Sequence, residues 1–161
     1  MGRLPGHALL VLMLLAPAGC SAEKWAVIVG VNDYVDEGIK DLRYGVQDAM
    51  LVCETLTRSP NGFPSQNVVL MTDAEPDPLR RPTRNSIIGM LSTWLSLAED
   101  GDTVLVYFAG HGAESDGNSY LLPSDAQLSN PPLTGLPLSL VKDRLRQCKA
   151  RKKVLIIDSC H

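Results

Sequence analysis

Four almost uninterrupted apolar runs restrict what this 161-residue chain can fold into more than any other feature. They occupy residues 25–31, 68–71, 103–109 and 154–157. A strand with one face in water alternates apolar and polar residues, so runs without alternation belong to strands covered on both faces, as in parallel sheets. Between the runs, apolar residues recur at helical spacing: Val46, Ala49, Cys53 and Leu56; then Ile87, Ile88, Leu91, Trp94 and Leu95; then Leu138, Val141 and Leu145. Thr83 is placed to cap the second of these helices. Gly101-Asp102 turns into the third strand, residues 112–119 read as a polar, Gly-rich loop, and residues 120–122 as a short extended piece. This βαβα alternation predicts a three-layer α/β/α sandwich with a mostly parallel central sheet in flavodoxin-like order. No repeat, low-complexity segment or second domain interrupts it.

With 45% apolar and 20% charged residues, the chain can bury a core of its own as one domain. The net charge of −3 carries no electrostatic footprint for nucleic acid, and no run of Lys or Arg suggests a membrane-surface patch. Cys20, Cys53, Cys148 and Cys160 form no C-x-x-C pair, so no metal site built on thiolates is expected. Cys53 and Cys148 read as small apolar side chains rather than as a disulfide.

Residues 1–19 read as a secretory leader: Arg3 is followed by an apolar stretch at 8–16, too short to span a bilayer as a helix. Two endings compete. Ala16-Pro17-Ala18 fits A-x-A cleavage, whereas Ala18-Gly19-Cys20 resembles a bacterial lipobox whose Cys20 would be lipidated, and the second is preferred. Either ending predicts an exported protein: a lipoprotein of the bacterial cell envelope, or a periplasmic or secreted chain. Residues 20–161 then form the working domain.

The chemistry sits where two strands end. Tyr107-Phe108-Ala109-Gly110-His111-Gly112 closes the third run, and Asp158-Ser159-Cys160-His161 closes the fourth. Ligands of doubly wound sheets bind beyond the carboxyl ends of the strands. On neighbouring strands, about 4.8 Å apart, His111 and Cys160 would face one substrate carbonyl. Cys160 would attack as thiolate while His111 handles the proton. Gly110 and Gly112 would allow close backbone approach, and the amides of Gly112 and Cys160 would form an oxyanion hole. A helix is expected beyond His161 to cover the sheet, so the sequence reads as truncated, with its fourth strand a bare edge.

These motifs resemble the caspase-like cysteine peptidases, nearest to the metacaspase branch and its bacterial relatives. The resemblance runs from Trp25 to His161. It rests on Ala26-Val27-Ile28-Val29-Gly30-Val31-Asn32-Asp33-Tyr34, on Gln47-Asp48-Ala49, and on the two segments holding His111 and Cys160. The interval between that pair is about 50 positions, the caspase-type spacing. The resemblance implies a His111–Cys160 dyad, an oxyanion contact from the Gly112 amide, and further C-terminal strands not present in this chain. It also implies that Asp48 and Asp158 line an acidic pocket, suited to peptides with Arg or Lys before the scissile bond. It calls for no organic cofactor. Calcium activates many metacaspases, but Glu114, Asp116 and Asp125 reproduce no recognisable site and are expected to be solvated loop acids. Two rival classes are a non-catalytic caspase-fold binding or regulatory module, and a nucleotide-binding flavodoxin-like domain. The latter lacks a G-x-G-x-x-G turn and a P-loop Lys.

Overall fold

The computed structural model describes residues 22–159. The leader, Cys20, Cys160 and His161 lie outside the described residues. Strand β1 spans Lys24–Gly30, helix α1 Gly45–Arg58, β2 Val68–Thr72, α2 Arg84–Leu97 and β3 Thr103–Ala109. A hairpin follows, of β4 (Gly112–Ser115) and β5 (Asn118–Leu121). The short helix α3 (Pro131–Thr134) and the two-residue strand β6 (Leu136–Pro137) lead into α4 (Leu138–Gln147) and β7 (Lys152–Asp158).

Among the described residues, β2-β1-β3-β7 form a four-stranded sheet in which every pairing is parallel. The expected α/β architecture and strand order are therefore present. The apolar runs are covered from two sides. Ala26, Ile28, Leu105 and Ala109 pack under α1 through Ala49, Val52 and Leu56. Val27, Val29, Val106 and Phe108 pack on the other face against Ile87 and Leu91 of α2 and Val141 and Leu145 of α4. Thr83 caps α2 as its sequence position predicts, its hydroxyl accepting from the Ser86 amide at 3.3 Å. Cys53 and Cys148 are free thiols in the packing of opposite faces.

Gly30 brings α1 down onto the sheet. A Cβ there would stand 2.6 Å from the Gly45 carbonyl oxygen and 2.7 Å from the Ala49 Cβ, contacts that no side chain could relieve. The close approach sets the start of α1 against the ends of β1 and β3.

One local expectation differs from the structure and another agrees with it. Residues 112–119 form a hairpin arm and turn rather than a loop. Asp116 (φ 51°) and Gly117 (φ 72°) both adopt left-handed backbone, as a two-residue type I′ turn requires. Strand β7, by contrast, is among the described residues the bare edge that the sequence reading expects. Leu155 and Ile157 pack against the α2/α4 cluster, while Val154 and Ile156 stay 39% and 42% exposed because α1 lies over β1, β2 and β3.

At the amino ends of the strands, one carboxylate ties three elements together. Buried Asp102 accepts from the Glu23 amide (2.8 Å), the Glu99 amide (2.9 Å) and the Trp25 indole (3.2 Å). Burial alone would raise its pKa, but these donors outweigh burial and hold it below the ordinary carboxylate value. A depressed folded-state pKa contributes stability that is present above the unfolded pKa and is lost as pH falls through the folded one. Unfolding midpoints should therefore drop as pH falls below about 4. Asp102→Asn should be less stable at neutral pH and lose less on acidification. An identical acid profile in the variant would show that other carboxylates dominate.

Candidate functional site

Strands β3 and β7 pair in unbroken register from Thr103↔Lys152 to Ala109↔Asp158, and the ladder is extended where the Gly110 amide donates to the Asp158 carbonyl (3.2 Å). His111 stands two residues past Ala109. Cys160 stands two residues past Asp158 in the sequence, outside the described residues. The two strands that carry the candidate base and nucleophile are thus neighbours with level ends.

His111 is held from two sides. Its amide donates to the Tyr34 hydroxyl at 2.9 Å, and the two rings lie 5.3 Å apart at 42°. Its Nε2 lies 2.8 Å from the Lys40 carbonyl oxygen. A carbonyl can only accept, so Nε2 carries the proton, and in the neutral ring Nδ1 keeps a free lone pair. Tyr34 is in turn placed by its own amide, which donates to Asp41 at 3.1 Å. Burial pushes the Tyr34 hydroxyl up to about 12, the neighbouring Asp73 and Asp41 adding to the rise and the His111 amide opposing it.

The loop that carries Tyr34 is tied to β2 and α1. The Asp73 Oδ2 accepts from the Asn32 amide (2.6 Å) and the Asp33 amide (3.2 Å), and the Asn32 Oδ1 accepts from the Val46 amide at the head of α1 (3.1 Å). Burial raises the Asp73 carboxyl above its ordinary value, the two amides partly opposing it, and its other oxygen is buried without a partner. Gly110 has no room for a side chain, since a Cβ would come within 2.8 Å of the Phe108 ring and 3.2 Å of the Tyr34 hydroxyl. At Gly112, the nearest described atom to an added Cβ would be the Ser159 Oγ at 3.4 Å.

A pocket of about 200 Å³ opens between the start of α1 and the carboxyl ends of β3 and β7, on the side of the sheet where ligands of doubly wound folds bind. His111, Asp48 from the first turn of α1, and Asp158 all line it. Beneath it, buried Tyr107 has its hydroxyl 3.4 Å from the Asp158 Oδ2, a long hydrogen bond. Burial raises the Tyr107 hydroxyl to about 12, and the charges of Asp158 and then Asp48 reinforce the shift. Tyr107 therefore stays neutral and can donate to the carboxylate. Arg43 shares the pocket wall, so the lining is not uniformly acidic.

The sequence reading did not single out Arg43, Tyr107 or the Lys40 carbonyl. Tyr34 and Tyr107 both fall inside motifs named from the sequence, without their roles. A backbone carbonyl has no residue-type signal, and Tyr107 reads as one more apolar position of a strand. The loop acids have structural surroundings of their own: Asp125 accepts from the Arg84 amide (2.8 Å), Asp116 forms the hairpin turn, and Glu114 lies on β4. Among the described residues, no three His, Cys, Asp or Glu side chains gather in a way that could hold a metal ion.

Residues 23–161 match the model of the caspase domain of peptidase family C14. The chain is 28% identical over 152 residues to Metacaspase-1 of Saccharomyces cerevisiae, with 88% of this chain and 34% of that protein aligned. It is 32% identical over 162 residues to Metacaspase-2 of Arabidopsis thaliana, covering 90% of this chain and 36% of the other. It thus spans about a third of the length of these relatives. A crystal structure of a Geobacter sulfurreducens protein superposes with a TM-score of 0.64 at 20% identity, over 86% of this chain and 51% of that one; this likeness shows the fold alone.

The Tyr34 hydroxyl offers a direct test of how the His111 loop is held. Tyr34→Phe keeps the ring but leaves the half-buried His111 amide without its acceptor, which should cost about 1–2 kcal/mol. Denaturant unfolding should show a lower midpoint with an unchanged slope. An unchanged midpoint would mean that water replaces the phenol at no cost.

Proposed function

The chain belongs to the caspase-domain family, on its metacaspase side, and we propose that it is a cysteine endopeptidase cutting after Arg or Lys. The observation that carries this reading is the convergence of His111, Asp48 and Asp158 on one pocket, with Cys160 two residues beyond the strand that ends in Asp158.

The Cys160 sulfur attacks the scissile carbonyl carbon while Nδ1 of His111 takes the thiol proton. The bond to Lys40 holds the ring in the tautomer that leaves this nitrogen free. The carbonyl oxygen becomes an oxyanion stabilised by the amides of Gly112 and Cys160. Collapse of the tetrahedral adduct breaks the C–N bond, and the imidazolium returns its proton to the leaving amine. Water then attacks the thioester with His111 as base, releasing the acid product and the thiol. The reaction needs no organic cofactor.

Asp48 and Asp158 supply the specificity. Two carboxylates facing one small pocket stabilise a guanidinium or ammonium far better than a substrate carboxylate. Tyr107, donating to Asp158, holds that acid toward the pocket. In this reading residues 20–161 are catalytic domain and residues 1–19 an export leader, with Cys20 as the site of lipid attachment in the cell envelope.

Turnover of fluorogenic peptides ending in Arg, Lys or Asp tests the proposal. Cys160→Ala should lose activity by orders of magnitude; turnover that survives in this variant removes Cys160 from the mechanism. Asp48→Asn and Asp158→Asn should each lower kcat/KM on Arg and Lys peptides by about 10- to 100-fold. Preference of the wild type for Asp peptides would refute the acidic-pocket assignment while leaving the nucleophile intact.

A further inference from the structure

Of the chain's 15 Lys and Arg residues, seven fall within residues 142–153, although the whole chain carries a net charge of −3. In the linear sequence they are interrupted by apolar residues and Asp143, and they form no long run. The fold gathers them. The last turns of α4, the turn after it and the first residues of β7 meet at the amino ends of the sheet strands, where the Arg151 and Lys152 amides both donate to the Asp102 carbonyl. The Lys153 ammonium donates to the Arg146 carbonyl across the same junction (3.2 Å).

The acids of this end offset only part of the charge: Lys24 and the seven cations at 142–153 stand against five carboxylates, Glu23, Glu99, Asp100, Asp102 and Asp143. Lys149 pairs with Glu99 (3.0 Å), Arg151 with Asp100 (3.8 Å) and Arg146 with Asp143, all as exposed pairs that hold little energy. Asp102 accepts from three neutral donors and Glu23 from the neutral Asn67 amide, bonds that leave a carboxylate's charge in place, so the end keeps a smaller positive excess. Lys142, Arg144, Lys152 and Lys153 are exposed, with no ion pair to a carboxylate among the described residues.

The chain also enters the sheet at this end. Lys24, at the start of β1, is level with Thr103 and Lys152 across the β1-β3-β7 ladder. In the sequence, Lys24 follows shortly after the apolar stretch at 8–16 and Cys20. Any attachment through the leader therefore brings this cationic end to the attached surface. The pocket holding His111 lies at the opposite end of the seven-residue strand β3, about 20 Å away.

We propose that this basic end of the sheet docks peripherally on an anionic lipid surface and directs the pocket away from it. The contact is electrostatic, between exposed Lys and Arg side chains and anionic headgroups. This inference does not depend on the peptidase reading.

Co-sedimentation of the full chain with vesicles tests it. Phosphatidylcholine vesicles report the charge-independent binding of the chain, and phosphatidylcholine–phosphatidylglycerol vesicles add the charge. Partition should be stronger on the anionic vesicles and should weaken as salt rises. Lys152→Gln/Lys153→Gln should reduce the anionic partition by about fivefold per residue. The charge-matched Arg80→Gln/Arg81→Gln, at the pocket end, should leave it nearly unchanged. Equal partition on the two vesicle types, or equal loss in both double variants, overturns the proposal. So does tighter binding to short duplex DNA that the Lys152/Lys153 variant abolishes, because the patch then serves nucleic acid. Peptide turnover in the same variants should be unaffected.

Discussion

The in-register parallel ladder of β1, β3 and β7 is the constraint from which the candidate site follows. Parallel strands place all their carboxyl ends on one side, so residues leaving β3 and β7 emerge together once the register is set. The register is set from both ends. Asp102 binds the starts of β1 and β3 and the end of α2, while the Gly110 amide closes on Asp158. A slip of one residue would turn the apolar set of each strand from one layer to the other and separate His111 from the β7 end.

What the ladder cannot supply is orientation. His111 is beyond the last paired residue, and its direction comes from contacts that sequence spacing does not encode: the Tyr34 hydroxyl on its amide and the Lys40 carbonyl on Nε2. Both belong to the loop after β1, which is itself tied to β2 through Asp73 and to α1 through Asn32. The candidate base thus depends on three elements distant in sequence. The unpartnered Asp73 oxygen is a local cost of that arrangement, tolerated because the second oxygen collects two amides.

The sheet was legible in the sequence because continuous apolar runs and helical periodicity follow from burial, which dominates the fold. The hairpin of β4 and β5 was not, because its residues 112–119 are polar and its signal is the single Asp116-Gly117 pair, whose meaning rests on backbone handedness. Strand β7 carries the same apolar signal at the edge of the sheet. Its composition matches the buried strands, yet its exposed face shows that an apolar run reports a need for cover rather than what provides it. At the site, side chains with distinctive chemistry (His111, Asp48, Asp158) could be named beforehand. Backbone acceptors could not, and a tyrosine embedded in an apolar strand carried no sign of its role.

The same parallel arrangement gives the molecule two unlike ends. At the carboxyl ends, Asp48 and Asp158 face one pocket with a neutral Tyr107 beneath them and Arg43 in its wall. At the amino ends, the α4–β7 junction collects Lys and Arg around a buried, saturated Asp102. A strand of seven residues separates the two, about twice the Debye length at physiological salt. On the readings proposed above, screening lets each end act on its own partner, an anionic surface at the basic end and a cationic side chain at the pocket. With an antiparallel sheet, loops from alternate strands would mix at both ends. In this fold, strand direction itself keeps the two charge sets apart.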